Sequence, residues 1–376
     1  MDNSTTLKNL IDRLNAGEDF GDVQKDFVEK FSSVSAQEIL DAEQQLIHDG
    51  TPAAHVQKLC DLHSALFHTP QKNFVEEPNF DSLEDGHPAK TFHLENVALG
   101  KFLDELETFD AEKFLGAFKR LFALYAHYGK KEQLFMPILY RHGVTGPSQV
   151  MWAVDDEIKR DLRGLAKKVT AENFSEHREE ISAWLQRVRE MIFKEEKIFL
   201  PMSLRFFSRD EWLAIYRDAP EFGLAFIDDA AKWSAGEEFL KAAPADEKLS
   251  DDTIKFSTGE LTLAQLTGIL KLLPVDVTFI DADDTIKFFV NNGGIFARPK
   301  SALGQKVFEY HPPEILPMVR AMLADFKSKK RARMEIFRNI KGKPTAVIYQ
   351  AVYGTDGEYL GTVEFVQDFS ETLKKF

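Results

Sequence analysis

A single cysteine, Cys60, is all the thiol that 376 residues hold, so no internal disulfide can form and a reducing cytosol is the expected setting. No stretch approaches eighteen apolar residues, so no membrane span is expected. The opening run MDNSTTLKNL lacks the basic and apolar regions of a secretion signal, so none is expected there either. Positive charge is scarce: Asp and Glu outnumber Lys and Arg 61 to 47, for a formal net charge of −14. A duplex nucleic-acid binder needs a basic face, so nucleic acid is not an expected partner. The one basic run, KSKKRAR over 327–333, reads as a solvated helix end. What the chain does have is apolar material, 44% hydrophobic with 32 Phe, enough for two or three packed domains.

Residues 1–70 read as a helical domain. Leu7, Leu10, Ile11 and Leu14 recur at helical spacing, as do Val23, Phe27 and Phe31, and Thr51-Pro52 would open a further helix over 52–67. The polar stretch HTPQKNFVEEPNFDSLEDGHP loses that period, and a linker is placed at 71–87. Four long amphipathic patterns follow, over 88–107, 111–142, 148–169 and 171–204, with HGVTGP breaking the second from the third. Short connections between long helices predict an up-down four-helix bundle, extended by further helices to residue 240. A second linker covers 241–255. In 256–376 the runs VDVTFIDADD and TIKFFVNN read as strands, and TAVIYQAVYGTDGEYLGTVEFVQDF reads as two more around Asp356-Gly357, with a helix over 313–327 between the groups. The expected fold class is multidomain and mainly α, with an α+β domain last.

Heptad spacing in the bundle exposes four gaps. The first stripe is Phe92, Leu99, Phe102 and Leu106, and Glu95 fills its missing place. The second stripe runs from Phe114 to Leu139 with its gap at Glu132; the third runs from Met151 to Val169 with its gap at Asp155. The fourth runs from Ile181 to Met202 and is interrupted by Glu195. Each helix thus sets one carboxylate on the face that should be core. An isolated buried carboxylate costs several kcal/mol unless it is paired, protonated or metal-bound. Four carboxylates with histidines nearby are the donor stock of a dinuclear iron or manganese site; a hydrogen-bonded polar layer is the plainer alternative.

Two stretches echo each other, HYGKKEQLFMP over 127–137 and MIFKEEKIFLP over 191–201. In the first, His127 lies five residues before Glu132, about 140° apart on a regular helix; a π-bulge would bring them together. His87 precedes Pro88 and shares a face with Glu95. Its alternative is a cap. His93 falls nearer the flank, and His142 beside Gly143 suits a helix C-terminus. Cys60 and His63 share a helical face, a pair that could hold a soft metal or sense redox state, though two ligands do not make a site.

On these residues the central region resembles the hemerythrin-like, or HHE cation-binding, family, a four-helix bundle that binds a non-haem di-iron centre through histidines and carboxylates. LCDLHSALF, GHPAKTFHLEN, VMWAVDDEIK, LPVDVTFIDADD and HPPEILPMV extend the likeness over nearly the whole chain. It is similar to a bacterial and archaeal family that joins an N-terminal helical domain of unknown function, an HHE domain and a C-terminal PAS-like domain. The stripe gap offers Glu95 as a metal ligand, and the resemblance implies His87, His127, Glu132, Asp155 and either Glu195 or its neighbour Glu196 beside it. Asp155 and Met191 stand where the family carries histidines, which implies a carboxylate-rich site for iron, manganese or zinc and argues against reversible oxygen carriage. It further implies a PAS-like domain that binds a small molecule, or haem with His311 as axial ligand, and that pairs two copies through the amphipathic segment TLAQLTGILKLL. For His311 the plainer role is a helix cap. The expected function is a cytosolic metal-binding sensor with output through a protein partner. A di-iron oxidoreductase acting on oxygen, nitric oxide or peroxide, and a non-metal scaffold with a degenerate site, are the alternatives.

Overall fold

The computed structural model describes residues 3–31, 45–46, 79–108, 110–144, 146–242, 253–292 and 294–375. It divides into two units, Met1–Trp212 with Gly223–Trp233 and Leu213–Phe222 with Ser234–Phe376. The expected helix over 52–67, with Cys60 and His63, lies outside the described residues. Among those described, no helix is long and apolar enough to cross a membrane.

In the first unit, α1 (Asn3–Asn15) and α2 (Phe20–Phe31) turn at Gly17, whose φ of +87° suits glycine. Leu7, Leu10, Ile11, Val23 and Phe27 form their core. The bundle begins with α3 (Pro88–Thr108). Its second arm is built of α4 (Ala111–Phe118), a 3₁₀ stretch over Lys119–Ala123, α5 (Leu124–Lys130), a π-helical turn over Lys131–Phe135 and α6 (Met136–Arg141). Asp110 caps α4 by accepting from Lys113 N. The arm ends in a Schellman motif, in which Gly143 N bonds Tyr140 O and Val144 N bonds Leu139 O.

The third arm is α7 (Gly146–Lys168). The fourth starts later than its sequence pattern, because Asn173 bonds Lys168 O and Thr170 N and holds a turn there. It consists of α8 (Arg178–Lys194), a second π turn over Glu195–Phe199 and α9 (Leu200–Phe206). α5 and α6 pack on α7, α7 on α8, and α8 and α9 on α3. Helices α10 (Arg209–Asp218), within which the unit boundary falls, and α11 (Ser234–Ala242) follow.

Both π turns have one cause. Each is followed by a proline two residues on, Pro137 and Pro201. Proline cannot donate to the carbonyl four residues back and its ring crowds that carbonyl, so the preceding turn widens. Met136 N then bonds Lys131 O, and Leu200 N bonds Glu195 O, each five residues back.

In the second unit, the hairpin of β1 (Thr253–Phe256) and β2 (Gly259–Thr262) leads into α12 (Leu263–Leu272), which opens on a Thr262/Gln265 capping box. Strands β3 (Asp276–Asp281), β4 (Ile286–Val290), β5 (Arg333–Ile340), β6 (Lys343–Tyr353) and β7 (Tyr359–Asp368) form one antiparallel sheet in the order β4-β3-β7-β6-β5. Helix α13 (Leu316–Lys327) covers one face, where Ile280, Val347, Val366, Leu323 and Phe326 form the core. The basic run is only partly a helix end, since α13 stops at Lys327 and Arg333 begins β5.

Gly361 has φ +153°, and a Cβ there would lie 2.2 Å from Ile280 O in the paired strand. Gly361→Ala is expected to destabilise this unit by about 2 kcal/mol or more, read as a lower midpoint in urea followed by circular dichroism. An unchanged midpoint would show that the β3–β7 pairing has slack.

Candidate charge centre of the helical bundle

The four acids at the stripe gaps are all buried: Glu95, Asp155 and Glu195 at 0% exposure and Glu132 at 7%. They reach the interior from α3, the first π turn, α7 and the second π turn. Buried with them are His127 from α5 and Lys131 from the first π turn, both without exposure. His127 Nδ1 lies 2.8 Å from Glu95 Oε2 and its Nε2 lies 3.2 Å from Glu195 Oε2. The Lys131 ammonium donates to Asp155 Oδ1 at 2.8 Å and to Glu195 Oε1, and sits 4.5 Å from the centre of the Tyr128 ring. Lys130 donates to Glu95 Oε1 and to Gly223 O, and Ala225 N also reaches Glu95 Oε1 at 3.0 Å. At the edge, Lys159 bridges Glu132 at 2.6 Å and Asp156 at 2.8 Å. Beside the Lys131 ammonium, Asp155 Oδ2 and the Tyr128 hydroxyl are buried without a hydrogen-bond partner among the described residues.

Burial pushes carboxyl pKa values up, and cations oppose it. For Glu195, Lys131 and His127 outweigh burial and hold the carboxyl below its ordinary range; His127 and Lys130 do the same for Glu95. Burial would discharge His127 and Lys131, but Glu195 with Glu95, and Asp155 with Glu195, raise both and keep them charged. Asp155 is pushed well above the carboxylate range by burial, against the pull of Lys131. The Lys131–Asp155 contact therefore draws in two directions. We assign the charge to Lys131, which also faces Glu195, and the first proton to be taken up to Asp155, one of whose oxygens is unpartnered.

The donor stock of a metal site is present: one imidazole and three carboxylates, with an open oxygen on Asp155. The space for a cation is not. Lys131 occupies the gap between Asp155 and Glu195, Lys130 lies on Glu95, and both His127 nitrogens face carboxylates. Among the described residues, no three His, Cys, Asp or Glu side chains are grouped to hold a metal ion. As arranged, these residues do not fit a dinuclear metal centre.

Of the six residues expected to share a site, four are joined in one buried chain of contacts: Asp155 and Glu195 through Lys131, and Glu195 and Glu95 through His127. Glu132 turns to Lys159: a π turn forms, but it starts at Lys131, which lies one regular helical turn after His127, and the His127 contacts go to Glu95 and Glu195. His87 lies against Trp212 and Trp233, and its Nδ1 accepts from Ala89 N at the start of α3. His311 Nδ1 lies 2.9 Å from Val307 O.

The lysines carry little signal in the sequence: a Lys-Lys pair directly before Glu132, with Lys131 three residues after Tyr128 of the second stripe. Glu196, the alternative to Glu195 in the second stretch, turns away from the centre: it bonds His93 at 2.7 Å and buried Asn96 at 2.8 Å beside a cavity of about 680 Å³. In the sheet unit, Thr278, Glu364 and Tyr349 form one row across β3, β7 and β6. Arg298 bonds Glu364 at 2.6 Å and, against the push of burial, keeps its carboxyl ionised.

Comparison with known proteins yields three family matches: a family of unknown function, DUF438, over residues 7–72; the hemerythrin HHE cation-binding domain over 87–203; and a PAS domain over 266–370. No match is found among curated proteins. Of solved structures, the C-terminal domain of a Streptococcus mutans protein is 26% identical, covering 34% of this chain and 98% of that one, with a TM-score of 0.32. A sensory box sensor histidine kinase of Vibrio cholerae is 13% identical over 27% of this chain and 87% of that one, with a TM-score of 0.22. The Vibrio cholerae VqmA dimer is 16% identical over 30% and 54%, with a TM-score of 0.24.

Burial between the tryptophans lowers the His87 pKa to about 4, against an ordinary value of 6.5. The unfolded chain then binds the extra proton between those limits, so stability contributed by neutral His87 is complete above pH 6.5 and lost as pH falls through 4. Acid-induced loss of the bundle's stability over that window should shrink in His87→Asn, measured by urea midpoints at pH 4.5 and 7 (about two points spanning the window). An equal pH slope in variant and parent would contradict the burial of a neutral imidazole.

Proposed function

We propose that this chain, which joins a DUF438 region, a hemerythrin HHE domain and a PAS domain in that order, is a sensing and signalling protein whose bundle supplies its own cation. The observation that carries this reading is the Lys131 ammonium, fully buried between Asp155 and Glu195. Paired carboxylates withdrawn from water need a positive charge beside them, and a lysine meets that need without a metal. The bundle then acts as a charged scaffold, and the PAS domain supplies recognition. Its sheet carries the Thr278–Glu364–Tyr349 row with Arg298, polar groups able to orient a small molecule against an apolar core. Helix α12 buries no residue, and its Leu272 is 84% exposed, which supports pairing of two copies. Output passes to a protein partner, in the cytoplasm.

A metal-binding reading is favoured by one observation, the unpartnered Asp155 Oδ2 beside two further carboxylates and an imidazole. Iron, manganese or zinc would need Lys131 to withdraw, and the same holds for an oxidoreductase acting on oxygen, nitric oxide or peroxide.

Metal analysis separates the two. Protein purified without added metal, and again after anaerobic incubation with Fe(II) or Mn(II), should hold less than about a tenth of a metal atom per chain. About two per chain, lost in a Glu132→Ala, Glu195→Ala double variant, would replace this proposal with the metal-binding one. Pairing through α12 predicts that Leu272→Asp converts a dimer to a monomer in light scattering; a dimer that survives the change would remove α12 from the interface.

A further inference from the structure

We infer that the groove between the first and fourth arms, on the outside of the bundle, is a binding site for a small organic cation with an aromatic body, an arylalkyl amine. It shares no residue with the charge centre and stands whether or not that centre holds a metal.

Three observations carry it. The first is the space. A cavity of about 680 Å³ is lined by α3, the 3₁₀ turn over Phe80–Ser82 and the fourth arm, a volume within the range of small-molecule sites. Gly100 leaves it open from the α3 side. It stands in the interior of that helix, where glycine is less stable than alanine, and a Cβ there would meet nothing within 4 Å. His93 and Gly100 on α3, like Arg189 and Glu196 on the fourth arm, are seven residues apart. The lining therefore runs for about two helical turns, roughly 10 Å, which is room for a bicyclic ring with a short side chain.

The second is the apolar wall. Phe80 is buried, and its ring stacks on the His93 imidazole with 4.5 Å between centres and 17° between planes. Ile192 and Phe193 line the same cavity. Such rings attract a flat ligand by stacking, and their faces favour a cation over an anion.

The third is the polar end. Glu196 lines the cavity with its Oε2 2.7 Å from His93 Nδ1, while its Oε1 accepts from Asn96 Nδ2 at 2.8 Å. These contacts fix the carboxylate and leave each oxygen a second acceptor position. Behind it, Asn96 is 1% exposed and its Oδ1 has no hydrogen-bond partner among the described residues. The demand at this end is for donors, and an ammonium carries three. Charge agrees. Arg189 is already held by Asp104 at 2.7 Å and Glu107 at 3.3 Å. The acids Asp81, Glu196, Asp104 and Glu107 thus stand against the bases Arg189 and Lys197, and an anion would enter against the local field. In this assignment the ammonium bonds Glu196 and the aromatic body lies over Gly100 against Phe80 and Phe193.

The test is isothermal titration calorimetry of the full-length protein at about 0.15 M salt, where long-range attraction to a chain of net charge −14 is screened. The probes are tryptamine and indole-3-acetate, which share a ring and differ in the sign of their charge. Tryptamine is expected to bind once per chain with a Kd of about 0.1–1 mM, and indole-3-acetate at least about tenfold more weakly. Two variants place the site. Gly100→Leu fills the cavity and should weaken tryptamine at least about tenfold with its helical circular dichroism kept. Glu196→Gln keeps the size of the side chain and removes its charge, and should bring the two probes to similar affinities. Should Gly100→Leu lose its helical signal, Glu196→Gln decides alone. The inference is overturned by the absence of saturable heat with tryptamine up to about 10 mM, by equal affinity of the parent for the two probes, or by tryptamine binding that either folded variant leaves unchanged.

Discussion

The bundle depends on a positive charge between Asp155 and Glu195. Four acids interrupt its four apolar stripes, and an uncompensated carboxylate in such a place costs several kcal/mol. Lys131 answers two of them directly, Lys130 and His127 answer Glu95, and Lys159 answers Glu132 at the rim. The acids and bases form a matched set drawn from all four arms. Replacing either side of it alone leaves a stranded charge, which is typically far costlier than loss of a surface ion pair.

The local backbone makes this matching possible. Lys131 and Glu195 each stand at the start of a π turn, one helical turn after buried His127 and Met191, and they meet across the bundle. The echo between the two stretches is therefore a repeated structural device. In the first copy it delivers a cation to the interior and in the second an anion. The neighbouring residue in each copy faces elsewhere: Glu132 to Lys159, and Glu196 to His93 and Asn96.

Much of the architecture was legible because periodicity reports burial directly. The four stripes, the break at Gly143 and the Asp356-Gly357 hairpin all follow from spacing and turn chemistry. Residues such as Glu95 and Asp155 stood out because an acid at a core position is improbable without a partner. The partners were harder to read. Lysine next to glutamate on a helix ordinarily marks a solvated face, and of the pair at the second stripe's gap it is Lys131, one helical turn after His127, that enters the centre while Glu132 faces Lys159. His87 was misleading for a related reason: helical phase set it on the face of Glu95, but its ring packs against Trp212 and Trp233, remote in sequence. A resemblance to metal-binding bundles supplies the fold and the donors, while the occupant of their centre is decided by the side chain that reaches it.

The most direct measurement is a crystal structure of the purified full-length protein with anomalous data collected above the iron and zinc absorption edges. The account predicts continuous density from the Lys131 backbone to an ammonium between Asp155 and Glu195, with no anomalous peak there. An anomalous peak between those carboxylates, with Lys131 turned away, would contradict it.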